Sequence, residues 1–313
     1  MTHVLGANQY GKSETRVVRV YRDTARHAIR DLNVSTSLRG DFEAAHTRGD
    51  QAKVLPTDSQ KNTAFAYAKL HGVSSPEDYA LALGRRLLDA APAASAAQIR
   101  VEEYAWDRIP VTGPEGPVGH DHSFVRRGTE TRTGVVTVEG RGDGQRAWVV
   151  SGLQDLVVLK STGSEFHGFL KDEYTTLPET HDRVMATSLT ARWRHYGSAP
   201  TADADRATSW DTSYEDVKRI LLATFAGHHS LALQQTLHAM GSAVLDAHPE
   251  IAEIRFSAPN KHHFVVDLSP FGIENDGEVF VAADRPYGLI EATITREDAS
   301  DPGPAWVGLP GFC

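Results

Sequence analysis

A long polar stretch in the middle of the chain, from Leu156 to Arg183, ends in a guanidinium group and carries the aromatic ring of Phe166. It follows a β-branched run and passes through small hydroxyl residues and Gly163. Loops this long in compact domains are usually functional or disordered, and the aromatic residues within it argue against disorder. An aromatic face with a guanidinium fork suits a flat, anionic, hydrogen-bonding ligand such as a purine derivative.

A structural role explains the same residues. Phe166 could pack on its neighbours at the rim of a fold, and Arg183 could pair with Glu179 or Asp182, because surface ion pairs are common. The chemistry of the stretch alone leaves both interpretations open.

Motifs for the common cofactors are missing from the sequence, which contains no dinucleotide fingerprint, phosphate loop, C-x-x-C or H-E-x-x-H. Fifteen histidines make a metal site conceivable, the candidates being His120-x-His122, His228-His229 and His262-His263. Metal sites normally need three or four donors of fixed geometry, however, and adjacent strand residues point to opposite faces. We therefore predict no metal and no cofactor, and a reaction in which the substrate itself supplies the electrons.

Composition restricts the class of partner. The 313 residues are 40% hydrophobic and 23% charged, which is ordinary for a globular protein with a substantial core. The 32 basic and 41 acidic residues give a net charge of −9, which argues against nucleic acid or an anionic membrane as a partner. An anionic ligand would depend on locally placed cations, and Arg183 and Lys12 are the candidates.

Nothing in the sequence predicts export or membrane insertion. The first residues lack a basic flank followed by an apolar run, and no segment approaches the roughly 20 apolar residues that span a bilayer. The final Gly311-Phe312-Cys313 differs from the Ser-Lys-Leu peroxisomal signal. Cys313 is the single cysteine, so a disulfide within the chain is excluded. We predict a cytoplasmic location.

Hydrophobic periodicity predicts the order strand, strand, helix, helix, strand, strand, repeated once. In the first half, strands are predicted at 16–21, 32–38, 99–106 and 134–139. Thr57 and Asp58 are N-cap candidates for a helix running to about Leu70, and Ser75 with Pro76 predicts the start of a second helix. In the second half, strands are predicted at 147–158, 187–195, 253–268 and 279–295, with helices near 214–226 and 231–247. Segments 110–119 and 197–211 resemble surface insertions.

The pattern predicts an α+β protein with an internal duplication, residues 1–144 and 145–313 forming the two halves. Each half would be an antiparallel four-stranded sheet with two helices on one face. Such a sheet has edges that must be paired or covered, and closure into a barrel removes them. Two halves of one chain joined to two halves of a partner would close a large barrel.

Five further blocks, together with the stretch described first, resemble the urate oxidase family. They occur in the family's order and at family-like intervals over nearly the whole chain. The blocks are N-Q-Y-G-K from Asn8, T-D-S-Q-K-N-T from Thr57, S-L-A-L-Q-Q-T from Ser230, P-N-K-H-H-F from Pro259 and P-Y-G-L-I from Pro286.

This resemblance implies the tunnelling fold (T-fold), in tandem halves, and a homotetramer with active sites between subunits. It also implies that urate, O2 and water give 5-hydroxyisourate and hydrogen peroxide without a cofactor. Doubly deprotonated urate is electron-rich enough to reduce O2 without flavin or metal.

For binding, the resemblance implies that Arg183 forks onto a carbonyl and ring nitrogen of urate and that Gln234 bonds the opposite edge. Phe166 would stack on the ring, an interaction worth about 1–3 kcal/mol for nucleobases. Leu177 and Leu233 would supply apolar and backbone walls. Stacking selects flatness, so recognition of urate itself would depend on the hydrogen-bonding edge.

For the chemistry, the resemblance implies a proton relay of Lys12 and Thr57, with Asp58 beside it, and His262 as a second proton carrier. A lysine accepts protons near neutral pH only when burial or a nearby cation lowers its pKa. Asn260 with Thr57 would hold O2, or later water, above the ring. Lys12, Thr57 and Asp58 would come from one subunit, and the remaining site residues would come from its neighbour.

Each of these residues also has a structural explanation. Thr57 and Asp58 could cap a helix, Gln234 could be an exposed helix residue, His262 a partly buried strand histidine and Asn260 a turn residue.

The sequence departs from the family pattern at two positions. Pro56 stands where many relatives have alanine, which favours an extended Leu55 and should leave the cap intact. Leu233 stands where some relatives have valine.

Two other functions remain open at this point. A pterin-binding enzyme of the same fold would anchor its ligand through a glutamate, whereas neutral Gln234 with Arg183 suits an anionic, carbonyl-rich ring. A purine-binding protein without activity would explain the pocket, but it would not explain the coincidence of Lys12, Thr57 and His262.

Overall fold

A computed structural model describes residues 3–196 and 206–309, which belong to two compact units. The first unit takes in residues up to 152, with 193–214 and 300–309; the second takes in 153–192 and 215–299. The predicted duplication into residues 1–144 and 145–313 stays a prediction.

Antiparallel strands and a pair of long helices make up most of the first unit. The strands pair in the order β1-β2-β3-β4. The elements up to residue 139 are β1 (Thr15–Tyr21), β2 (Ala28–Gly40), α1 (Glu43–Arg48), α2 (Thr57–Leu70), α3 (Pro76–Ala90), β3 (Ala94–Gly113) and β4 (Gly116–Glu139).

The predicted alternation of β2 is confirmed. Every second residue from Leu32 to Leu38 is buried, and the three apolar ones join one hydrophobic core with α3 residues such as Leu83 and Leu87. The predicted start of α3 is also confirmed, because the Ser75 hydroxyl accepts a 3.0 Å bond from the backbone N–H of Asp78.

The predicted cap of α2 is wrong. The N-cap is Pro56, in an extended backbone conformation, and no side chain caps the helix. Thr57 is therefore the first helical residue, one position inside the predicted cap. Asp58 accepts bonds from Lys61 and Asn62 of the same helix.

The segment 110–119, predicted to be a surface insertion, forms the exposed end of the hairpin of β3 and β4. β3 and β4 continue through this segment as a regular hairpin, with Pro110 opposite Gly119 and Gly113 opposite Gly116. Most side chains there are partly or fully exposed, so the hydrophobic alternation that marks a half-buried strand is absent. Of the second predicted insertion, residues 197–205 lie outside the described residues, and α4 begins at Arg206.

The later elements are β5 (Arg146–Lys160), β6 (Met185–His195), α4 (Arg206–Gly227), α5 (Leu233–Ala247), β7 (Ile251–Val265), β8 (Phe280–Ala283) and β9 (Leu289–Thr295). These strands follow the order β5-β6-β7, and both β8 and β9 pair antiparallel with β7. The strand predicted at 279–295 is thus two strands, separated by a turn with a cis bond before Pro286. α5 packs against β7 and β9.

The predicted α+β class, with antiparallel sheets carrying helices, is confirmed. Within residues 3–196 and 206–309, no helix has both the length and the apolar character required to cross a bilayer.

Candidate active site

Lys12 lies on a short segment that follows the edge of β2. Tyr10 and Leu38 exchange backbone bonds of 3.1 and 2.7 Å, and the Lys12 carbonyl accepts a 2.8 Å bond from the N–H of Thr36. A Cβ on the intervening Gly11 would lie 1.7 Å from the Thr36 carbonyl oxygen, so only glycine permits this approach. The backbone of Lys12 is thereby fixed.

The same contacts hold the start of α2. The buried Gln60 accepts a 2.7 Å bond from the Thr36 hydroxyl, and Leu55 N–H donates to the Tyr10 hydroxyl at 2.9 Å. This network joins the segment that carries Lys12 to the first turn of α2, where Thr57 and Asp58 lie.

The positive charge of Lys12 acts on the carboxyl of Asp58. The pKa of the Asp58 carboxyl is lowered, chiefly by the hydrogen bond from Lys61 and also by the positive charge of Lys12. Lys12 is half-buried, and its ammonium makes no hydrogen bond or ion pair with any residue that the structure describes. It is free to contact a ligand or a proton donor.

The segment 161–184 contains no helix or strand but is held in place by two isolated bridges. Ser164 pairs with Ser230, and Phe166 pairs with Thr180. Both serines are buried, and each hydroxyl lies 3.6 Å from the sulfur of Met185. The segment is therefore an ordered loop, as its aromatic content predicted.

Arg183 and Phe166 lie together in this loop. The N–H of Arg183 donates to the Ser164 carbonyl at 2.9 Å, and its Nε lies 3.3 Å from the Ser164 hydroxyl. The guanidinium carbon is 5.3 Å from the centroid of the Phe166 ring. Burial lowers the pKa of Arg183, yet a guanidinium stays protonated in proteins, so the fork remains charged.

The ion pairs expected from a purely structural Arg183 do not form in the described part of the chain. Glu179 pairs instead with Lys171 at 3.0 Å, and Asp182 accepts a 2.9 Å bond from the Thr162 hydroxyl. The outer nitrogens of the Arg183 fork are left for a ligand.

Phe169 is a neighbour of Phe166 that the sequence did not predict for the site. Its ring stacks on that of Phe166 with a centroid distance of 4.9 Å and an angle of 14° between the planes. A flat ligand stacking on Phe166 must therefore use the opposite face or displace Phe169. The sequence did contain a signal for this contact, because Phe169 is a second aromatic residue three positions after Phe166 in the same loop.

The N-terminus of α5 adjoins the same loop. Thr236 donates a 2.8 Å bond to the hydroxyl of Ser230, the bridge partner of Ser164. Leu233 is the first residue of α5, and its side chain is buried, so it can offer only its backbone. Gln234 follows and is exposed. Unpaired N–H groups at a helix start favour an anion.

Leu177 lies within the loop and is 51% exposed, so its side chain is available as an apolar wall.

Asn260 and His262 occupy alternate positions of β7, so both side chains lie on one face of the strand. The N–H of Asn260 donates to the Gly288 carbonyl at 2.8 Å, which makes Asn260 a strand residue and not a turn residue. The His262 ring is stacked on Phe264 at 5.7 Å. His263 points to the opposite face.

The predicted site residues thus form two groups. Lys12, Thr57 and Asp58 lie together in the first unit, and the other predicted site residues belong to the second unit. Their predicted meeting across a subunit interface stays a prediction.

None of the three histidine pairs considered in the sequence lies in a group of three possible metal ligands among the described residues. Such a group is formed by Glu165, His167 and His181, which the sequence interpretation missed although the E-x-H spacing was visible.

Comparison with known proteins identifies the family. The uricase family model matches residues 8–137 and 149–291. The uricase of Arthrobacter globiformis is 51% identical over 310 residues, covering 99% of this chain and 96% of that protein. The uricase of Aspergillus flavus is 35% identical over 93% of this chain and 96% of its own length. The crystal structure of the Arthrobacter enzyme superposes with a TM-score of 0.88 at 50% identity, covering 98% of this chain and 99% of that one. The chain therefore belongs to the uricase family.

Proposed function

We propose that this protein oxidises urate with O2 and water to 5-hydroxyisourate and hydrogen peroxide, using no cofactor. Urate gives up two electrons, O2 accepts them with two protons and leaves as peroxide, and water supplies the new hydroxyl oxygen. The observation that carries the proposal is similarity to uricases over nearly the full length of both chains.

The geometry of the second unit supports the binding of a planar anion. Arg183 offers a charged fork with no carboxylate partner among the described residues, next to the face of Phe166. The start of α5 adds backbone donors at Leu233 and the amide of Gln234, and Leu177 adds an apolar side chain. Urate, which carries carbonyl and N–H groups on both edges of a flat ring, matches these donors and acceptors.

The proton-transfer groups come from both units. Lys12 accepts a proton from urate through the hydroxyl of Thr57, and the carboxylate of Asp58 lies beside this relay. His262 carries the second proton, and Asn260, on the same face of β7, holds O2 or water above the ring. Removal of both protons raises the electron density of the ring, so that O2 becomes a sufficient oxidant.

We also propose that the active form is a homotetramer in the cytoplasm, with each site at a subunit interface. Lys12, Thr57 and Asp58 come from one subunit, and Phe166, Arg183 and the remaining site residues come from its neighbour. Each site is then complete only when two subunits assemble.

The decisive experiment uses protein dialysed against EDTA, incubated with urate in air-saturated buffer. Urate absorbance, dissolved O2 and hydrogen peroxide are followed together. We expect the chelator-treated protein to consume one O2 and to form one peroxide per urate. Binding of urate without turnover, or no binding, refutes the proposed function.

Matched variants test the assigned roles. Arg183→Lys replaces a planar fork by a point charge, and we expect kcat/KM to fall by about 100-fold, because two charge-assisted bonds are disrupted. Arg48→Lys, at an exposed position of α1, is the control. His262→Asn should lower kcat by 100-fold or more. His263→Asn, on the opposite face of β7, should leave kcat within a factor of about three.

A further inference from the structure

The loop bearing Phe166 is a two-sided ribbon. The N–H groups of Phe166 and Thr180 each donate to the other's carbonyl, at 2.8 and 3.0 Å, in an antiparallel bridge. This register places Glu165 opposite His181, and alternation places His167 on the same face as Glu165. Phe166 points to the other face. The proposed substrate ring and a carboxylate–imidazole cluster thus occupy opposite faces of one ribbon.

The cluster is compact. Nε2 of His167 and Nδ1 of His181 lie 2.9 and 3.4 Å from the same oxygen of Glu165, and the two rings are 4.4 Å apart. The ligand atoms of all three residues lie within 4.8 Å of one another. The other oxygen of Glu165 lies 2.6 Å from Nε2 of His229.

These distances fit a small metal ion. Zn²⁺ binds imidazole nitrogen and carboxylate oxygen at about 2.0–2.2 Å, so its ligand atoms in a tetrahedron are separated by roughly 3.4 Å. Small side-chain rotations bring the three donors to that spacing.

We propose that Glu165, His167 and His181 bind one divalent transition-metal ion of the Zn²⁺ class. His229 orients the carboxylate of Glu165 by bonding to the carboxylate oxygen that does not face the ion. Hydrogen-bonded neighbours usually orient metal ligands in this way. Water completes the coordination shell on the exposed side. The ion is structural and takes no part in the oxidation of urate, so this proposal stands whether or not the proposed function is correct.

The ion would connect separate parts of the candidate site. Glu165 and His167 flank Phe166, and His181 lies two residues before Arg183. An ion bound to all three residues closes the loop between these positions. Because the ion binds only the folded loop, it stabilises the folded conformation. The stacking ring and the guanidinium are then held at both ends of the loop by one ion.

A carboxylate bonded to three imidazoles could also be stable without an ion, and calorimetry separates the two cases. EDTA-stripped full-length protein is titrated with Zn²⁺ alone. We expect one saturable site per chain, weakened at least 10-fold by Glu165→Gln and by His181→Ala. His46→Ala, at an exposed histidine of α1, is the matched control and should bind as the parent protein does. No saturable site, or a site with equal affinity in all these variants, overturns the proposal.

Hydrogen exchange gives a second readout that does not depend on catalysis. Zn²⁺ should slow exchange in residues 161–184 of the parent protein and leave exchange unchanged in His181→Ala. His181 has 75% of its side chain exposed, so its truncation should leave the fold intact. Equal protection by Zn²⁺ in both proteins contradicts the assignment.

Discussion

Mixed oligomers of two inactive variants provide a sharp test of a site shared between subunits. Lys12→Met removes the proposed proton acceptor from the first group, and Arg183→Ala removes the anchor from the second. Neither change breaks an ion pair among the described residues, because Lys12 makes none and Arg183 donates only to Ser164. Both variants should therefore fold and assemble.

The expected activities follow from the contacts that are lost. Removing a general base lowers turnover by about 10²–10⁴-fold. Losing two hydrogen bonds to a charged group, each worth about 1.5–3 kcal/mol, lowers kcat/KM by about 100-fold or more. Each of the two variants alone should thus retain about 1% of the activity or less. In a randomly mixed oligomer, a shared site receives an intact Lys12 in half the cases and an intact Arg183 in half. About one quarter of the sites should then be active.

The assay is urate turnover by mixed oligomers purified through two different affinity tags. Two further combinations serve as controls. The double variant mixed with the parent protein should show about one quarter of the activity if sites are shared, but about half if each chain holds a complete site. Lys12→Met mixed with Thr57→Val should show no recovery, because both changes affect the same side of a shared site. Activity of the first mixture no higher than that of its components would refute the shared site.

Two further changes test how the first unit supports the site. Glu77→Leu removes one of the carboxylates that pair with Arg132, at 2.7 Å with both side chains almost fully buried. Because Asp211 and Glu103 still pair with Arg132, unfolding should become easier by about 1–3 kcal/mol and Tm should fall by about 5 °C in a thermal scan. The exposed Glu43→Gln should leave Tm within about 2 °C. Gly11→Ala forces the Lys12 segment away from β2, so both Tm and kcat should fall, whereas Gly6→Ala, with nothing within 4 Å of the added carbon, should change neither.

The fold was predictable wherever one face of an element is buried. β2 alternates, α3 has its serine cap and proline, and both signals reflect forces local to the chain. The prediction failed for the hairpin of β3 and β4, which carries no buried stripe and is specified by cross-strand pairing. It also misplaced the cap of α2, since Pro56 takes the cap position that Thr57 was expected to fill.

The residues proposed for the site could be named from the sequence, but their surroundings could not. Residue type and order marked Phe166 and Arg183, because few positions combine a ring and a guanidinium in so long a loop. Their neighbours depend on bridges between segments far apart in sequence, and no local pattern encodes such pairings. For that reason the clustering of His181 with Glu165 emerged only from the structure, whereas Phe169, three positions after Phe166, was visible in the sequence as a second aromatic residue.

Net charge explains why the two cations proposed for the site would matter. A chain of charge −9 repels urate at long range, so binding requires basic groups whose charge is not already neutralised. The structure meets this requirement by engaging nearby acids elsewhere: Asp58 and Glu179 bind other lysines, and Asp182 accepts from a threonine. Lys12 and Arg183 consequently have no ion-pair partner among the described residues. A preformed pair would have to be broken on binding, and the energy of that pair would be subtracted from the affinity for the anion.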